Sequence, residues 1–79
     1  MTKVEGLNKI DRGMIVFNEH HHTFVDESKR AEVWTDEKGN WGCRFWDYQV
    51  WKGDRLFEGH SEQYAENSAE NYVLGILEL

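Results

Sequence analysis

Polar and apolar positions alternate weakly over the first dozen residues and more clearly from Ala31, and apolar residues recur every third or fourth position after Ser61. That change of period predicts strands followed by a helix. Met14-Ile15-Val16-Phe17 is a short run of strand formers, and Thr23-Phe24-Val25 resumes the same composition after the polar stretch Asn18 to His22, giving one bent strand or a hairpin. Asp26 to Arg30 reads as a polar turn. Ala31, Val33 and Thr35 then alternate with Glu32, Trp34 and Asp36, and Lys38-Gly39-Asn40 supplies turn chemistry before Trp41, which together predict a hairpin.

Trp41 to Trp51 reads as the longest strand. Strict alternation places Trp41, Cys43, Phe45, Asp47, Gln49 and Trp51 on one face and Gly42, Arg44, Trp46, Tyr48 and Val50 on the other. Aromatic side chains on both faces call for a bulge or bend. Lys52-Gly53-Asp54 is expected to close a second hairpin, with Arg55 to Glu58 returning. Ser61 is a natural N-cap and Glu62 follows it in the first turn, where the helix dipole favours negative charge. Ala65, Ala69, Tyr72, Val73, Ile76 and Leu77 form one apolar stripe, and Gly75 weakens the last turn without ending it. The expected fold is α+β: a three- to four-stranded antiparallel meander packed against one C-terminal α-helix. Met1 to Arg12 reads as a flexible arm and residues 13–79 as one domain, with the part that residues 1–30 play in the sheet left open.

Composition sharpens this picture in three ways. Four Trp, three Tyr and four Phe in 79 residues supply most of the apolar surface a small core requires. Residues 1–30 hold five Lys/Arg and five Asp/Glu, whereas residues 31–79 hold four and ten, so the whole net charge of −6 lies in the second part. Such a balance disfavours a phosphate-tracking surface and suits a basic protein partner. One cysteine, Cys43, rules out an intramolecular disulfide framework. With no membrane span or signal peptide in the pattern, a cytoplasmic setting is the default.

The candidate chemistry is sparse. In an extended chain, His20-His21-His22 could bring only His20 and His22 to one side, short of the four ligands of a structural zinc site, with His60 and Cys43 as distant candidates to complete it. No metal or cofactor is therefore expected. Cys43, between Gly42 and Arg44 in an aromatic strand, reads as a small buried residue rather than a nucleophile. Asp36 and Glu37 could act as acid and base only inside a pocket that the sequence does not reveal. There is no phosphate loop, nucleophile elbow or paired-cysteine motif, so no catalytic residue is assigned and no enzyme is expected.

Two surfaces stand out as candidates for binding. Glu62, Glu66 and Glu70 recur at i,i+4 with no Lys or Arg between them, a repulsive arrangement on an isolated helix that forms either an electronegative docking ridge or a solvated face. Trp34, Trp46 and Trp51, together with Trp41, exceed what one helix can cover and offer interface anchors on an open sheet face. That face also admits two alternatives, stacking of nucleic-acid bases and pairing of two copies of the chain.

Trp41-Gly42-Cys43-Arg44-Phe45, the segment Lys52-Gly53-Asp54, and Gly59-His60-Ser61-Glu62-Gln63-Tyr64-Ala65-Glu66-Asn67 through Asn71-Tyr72-Val73-Leu74-Gly75-Ile76 resemble short uncharacterised accessory proteins of tailed bacteriophages, over residues 39–77. The resemblance implies a phage-encoded protein acting in the infected bacterial cytoplasm and carries over no activity, cofactor or catalytic residue. The strand order is also similar to that of double-stranded-RNA-binding domains, but the basic helix start of that family is replaced here by Ser61-Glu62-Gln63 and Glu66. The expected function is that of a small acidic, non-enzymatic interaction protein that binds and modulates a host or phage protein. The alternatives are a nucleic-acid-binding module and a homodimeric structural protein.

Overall fold

The computed structural model describes residues 15–79, so the expected arm Met1 to Arg12 lies outside the described residues. Four strands, β1 (Glu19–Asp26), β2 (Lys29–Thr35), β3 (Trp41–Asp47) and β4 (Val50–Phe57), precede one helix, α1 (Glu62–Val73). The strands form one antiparallel sheet in the order β1-β2-β3-β4. This is the α+β meander-plus-helix architecture expected from the change of period. The helix lies across β1, β2 and β3, packing mainly on the central pair.

The core forms where the alternation of β2 and β3 meets the small residues of α1. Ala31, Val33, Cys43, Phe45, Ala65 and Ala69 are fully buried, and Tyr72 and Val73 nearly so. Alanine at positions 65 and 69 lets the helix backbone approach closely enough for the Cys43 thiol to donate to the Ala65 carbonyl at 3.3 Å. Phe45 fills the centre against the Tyr72 ring, 4.7 Å away between centroids. The Tyr72 hydroxyl donates to the Trp46 carbonyl at 3.1 Å, which satisfies the polar end of a ring whose body is buried.

Both helix ends follow from sequence chemistry. Ser61 is the N-cap, its hydroxyl accepting from the Tyr64 N–H. At the other end Gly75 takes φ +84°, and the N–H groups of Gly75 and Ile76 donate to the carbonyls of Tyr72 and Asn71 at 3.0 and 2.8 Å. That pair of bonds is a Schellman motif, so Gly75 ends the helix rather than merely weakening it. Ile76 consequently leaves the apolar stripe and is 70% exposed, while Leu77 turns back onto the core.

Strand pairing answers one point the sequence leaves open and corrects three local expectations. Residues from the first thirty do join the sheet, because β1 runs through the histidines to Asp26. The first turn is accordingly short: Lys29 and Arg30 belong to β2, opposite Asp26 and Val25. Next, Trp41 to Trp51 is not one strand, since the chain reverses at Tyr48-Gln49, where φ is +52° and +66°, the type I′ geometry that matches strand twist. Lys52-Gly53-Asp54 closes no hairpin and lies inside β4. There Phe45 pairs with Gly53 and Trp46 with Trp51, leaving Lys52 as the extra residue of a β-bulge. Finally, the Asp36–Asn40 turn is where it was expected. The Asp36 carboxylate accepts from the N–H groups of Lys38 and Asn40, both at 2.9 Å.

Candidate interaction surfaces

The reversal at Tyr48-Gln49 decides what the face opposite the helix looks like. Residues paired across an antiparallel ladder share a face, so Trp51 opposite Trp46 lies on the side away from the helix rather than beside Phe45, as unbroken alternation would require. Trp34, Trp46 and Trp51 are therefore together on the open face, each half-buried. Trp41 is the exception, packing against the core on the helix side.

Arginines and carboxylates lock these rings in place. Arg30 lies over the Trp46 ring at 4.2 Å, and Arg44 lies between Phe17 and Trp34 at 5.0 Å from each. Phe17 reaches this position because Gly42 beneath it has no side chain; a Cβ there would fall 2.7 Å from the ring. Asp54 is the hub of the polar layer. Its carboxylate, with the side chain only 1% exposed, accepts from the Trp51 indole N–H at 2.8 Å and the Ile15 N–H at 2.9 Å, and lies 3.7 Å from Arg44 Nε. Arg44 also donates to the Ile15 carbonyl at 2.8 Å. Glu32 has the same part beside Trp34, accepting from its indole N–H at 2.9 Å while pairing with Arg30 at 3.8 Å. Two arginines thus face two carboxylates, and the layer carries no net charge.

The acidic ridge is less uniform than its sequence. Glu70 is exposed on α1, but Glu62 and Glu66 both receive His22, whose Nε2 lies 3.1 Å from Glu62 Oε2 and 2.9 Å from Glu66 Oε2. Hydrogen bonding from His22 holds the Glu62 carboxyl below its ordinary range. Nothing in the local sequence signals this contact, since the partners are separated by forty positions or more and meet only when α1 crosses β1.

The three histidines part company because of a bulge. β1 slips register between His20 and His22, so the two do not share a face as strict alternation requires. His20 tilts against Trp34 on the open side at 5.1 Å. His21 lies against Trp41 at 4.6 Å and bonds Thr35 Oγ1 at 2.9 Å. His60 stacks on Tyr64 at 3.8 Å. Cys43 is sealed in the core, and burial pushes its thiol up to about 12. Among the described residues, the one group of three metal-ligating side chains with donor atoms within 4.8 Å of one another is His22, Glu62 and Glu66.

Asp36 has a structural task. Its carboxyl is held below the ordinary range by hydrogen bonds from Asn40, which tie the β2–β3 turn. A shallow depression of about 410 Å³ beside it is lined by Phe17, Asp36, Glu37 and Glu58 among others. No helix among the described residues is long and apolar enough to cross a membrane. No family model matches the chain, and neither the curated proteins nor the solved structures include a match to it.

Proposed function

We propose that this chain is a small non-enzymatic interaction protein that docks a partner protein on its open sheet face, with Trp34, Trp46 and Trp51 as anchors. The observation that carries the reading is the charge-neutral layer in which Arg30, Arg44, Glu32 and Asp54 hold those rings half-exposed and fixed. Trp and Arg are the residues most often found to dominate binding energy, and rings fixed before binding lose little freedom on docking. Glu70, with the rest of the acidic second part of the chain, favours a partner with a basic surface by steering its approach. Following the bacteriophage resemblance, the partner belongs to the phage or its bacterial host, and the setting is cytoplasmic. A base-stacking role ranks second, because the arginines beside the rings are already matched by carboxylates and leave no surplus positive charge for phosphates.

Affinity capture from bacterial cells with the wild-type chain, Trp46→Ala and Glu70→Lys tests the proposal. A specific partner should be lost with Trp46→Ala and retained, with slower association, by Glu70→Lys. A partner captured equally by wild type and Trp46→Ala removes the sheet face from the argument. Sedimentation velocity separates a second copy of the chain from a different protein. Indole quenching by oligonucleotides at low salt would favour the nucleic-acid reading instead.

A further inference from the structure

The contact between β1 and the first two turns of α1 has a composition that a salt bridge alone does not require. One imidazole nitrogen from a strand and two carboxylates from a helix converge, with all three donor atoms within 4.8 Å of one another. Among the described residues, no Lys or Arg lies within ion-pair distance of Glu62 or Glu66. Two adjacent carboxylates are therefore opposed by one side chain that is charged only when protonated. Glu66 is 26% exposed, so solvent screens it only in part.

From this geometry we infer a divalent-cation site formed by His22 Nε2 and the carboxylates of Glu62 and Glu66. The spacing suits coordination. A tetrahedral zinc ion with bonds of about 2.0–2.2 Å sets its ligand atoms roughly 3.3 Å apart. The present N···O separations are 3.1 and 2.9 Å, a little shorter than that, and the side chains that would spread to admit the ion are partly in solvent. The donor set selects the class of metal. An imidazole nitrogen with two carboxylates suits first-row cations such as zinc, whereas calcium and magnesium favour all-oxygen shells. Water or an external ligand completes the shell.

The helix N-terminus opposes a cation, but only with about half a positive charge, against two full negative charges on the glutamates. Three features make the site a product of the fold rather than of two neighbouring glutamates. The bulge at His20/His22 turns His22 toward the helix, the Ser61 cap fixes the start of α1, and the buried Ala65 seats that turn on the sheet. A bound ion would clip the edge strand β1 to the helix across forty residues of chain, adding to stability in proportion to occupancy. This inference does not rest on the protein-docking reading, because none of its ligands belongs to the open face.

The test uses the full chain without an affinity tag, stripped with a chelator and titrated with zinc by calorimetry. NMR of the histidine ring nitrogens is followed in parallel, with cobalt absorption as a second report on geometry. One zinc per chain, a zinc-dependent rise in the thermal midpoint, and a selective shift of His22 Nε2 are expected. The binding should disappear in His22→Ala and Glu66→Gln and survive in Glu70→Gln and His60→Ala. Glu66→Gln keeps the side-chain shape at a partly exposed position, and the His22 signal is read in the wild type, so a folding defect in one variant cannot imitate the result. Zinc uptake undiminished in both variants, signals shifting only at His20 or His21, an equal response to calcium, or no stoichiometric uptake would each overturn the assignment.

Discussion

The two faces of one sheet solve the same burial problem in different ways. On the helix side Ala31, Val33, Cys43 and Phe45 are sealed under Ala65, Ala69 and Tyr72, with few polar atoms to satisfy. On the open side no helix among the described residues packs, and Trp34 and Trp46 lie under the arginine planes of Arg44 and Arg30, which Asp54 and Glu32 face, while Trp51 is held by its indole N–H to Asp54. The first face derives its stability from apolar contact and tolerates little change in volume. The second derives a smaller stability from cation–π and charged contacts, and in return keeps large rings accessible. The contrast explains how a chain of 79 residues can keep three tryptophans at its surface without leaving them as one continuous apolar patch.

Substitutions can break or sharpen that comparison. Phe45→Ala should have the largest effect, removing about 3–5 kcal/mol by deleting a fully buried ring from the helix-side core. In a domain this small the variant should be largely unfolded, as urea denaturation followed by circular dichroism would show; a loss comparable to that of an open-face tryptophan would mean the two faces are equivalent. Gly42→Ala tests the junction of the faces. Its Cβ would meet the Arg55 carbonyl at 2.5 Å and the Phe17 ring at 2.7 Å, so overpacking should cost about 1–3 kcal/mol. The same experiment should show altered indole fluorescence as Phe17 is displaced from Arg44 and Trp34.

A smaller effect is expected from Trp46→Ala combined with Arg30→Ala in a double-mutant cycle. The coupling energy should be about 0.5–1 kcal/mol, the worth of one solvent-accessible cation–π contact. A coupling indistinguishable from zero would mean that the guanidinium merely rests on the ring. The smallest effect concerns pH. The folded-state carboxyl of Glu62 is depressed by its hydrogen bond from His22, so its contribution to stability is present above the unfolded carboxylate range and is lost as pH falls through the folded value. Thermal midpoints of Glu62→Gln should therefore decline less steeply on acidification than those of the wild type. An unchanged acid limb would show that the contact with His22 contributes nothing measurable.

Much of the fold was legible in residue order. Strands before a helix, Ser61 as the cap, the Asp36–Asn40 turn and the inward set Ala31, Val33, Cys43 and Phe45 all follow from local periods and local hydrogen-bonding chemistry. The hairpin after β3 was misplaced because Lys52-Gly53-Asp54 carries stronger turn chemistry than Tyr48-Gln49. Cross-strand pairing of Trp46 with Trp51 overrode that preference, and the spare residue was absorbed as a bulge. Of the candidate binding residues, Trp34 and Trp46 were readable as lying opposite the core strip of their strands. Trp51 was not, because one reversal moves it across the sheet.

The sequence by itself determined which segments alternate, where the helix starts and which small residues allow close packing, since these depend on a residue and its near neighbours. Only the tertiary structure decided that Trp51 joins Trp34 and Trp46, and that His22 stands between Glu62 and Glu66. Both outcomes are set by strand pairing, in which one residue more or less sends a side chain to the other face: the two-residue reversal at Tyr48-Gln49 carries Trp51 across the sheet, and the slip at His20/His22 turns His22 toward the helix.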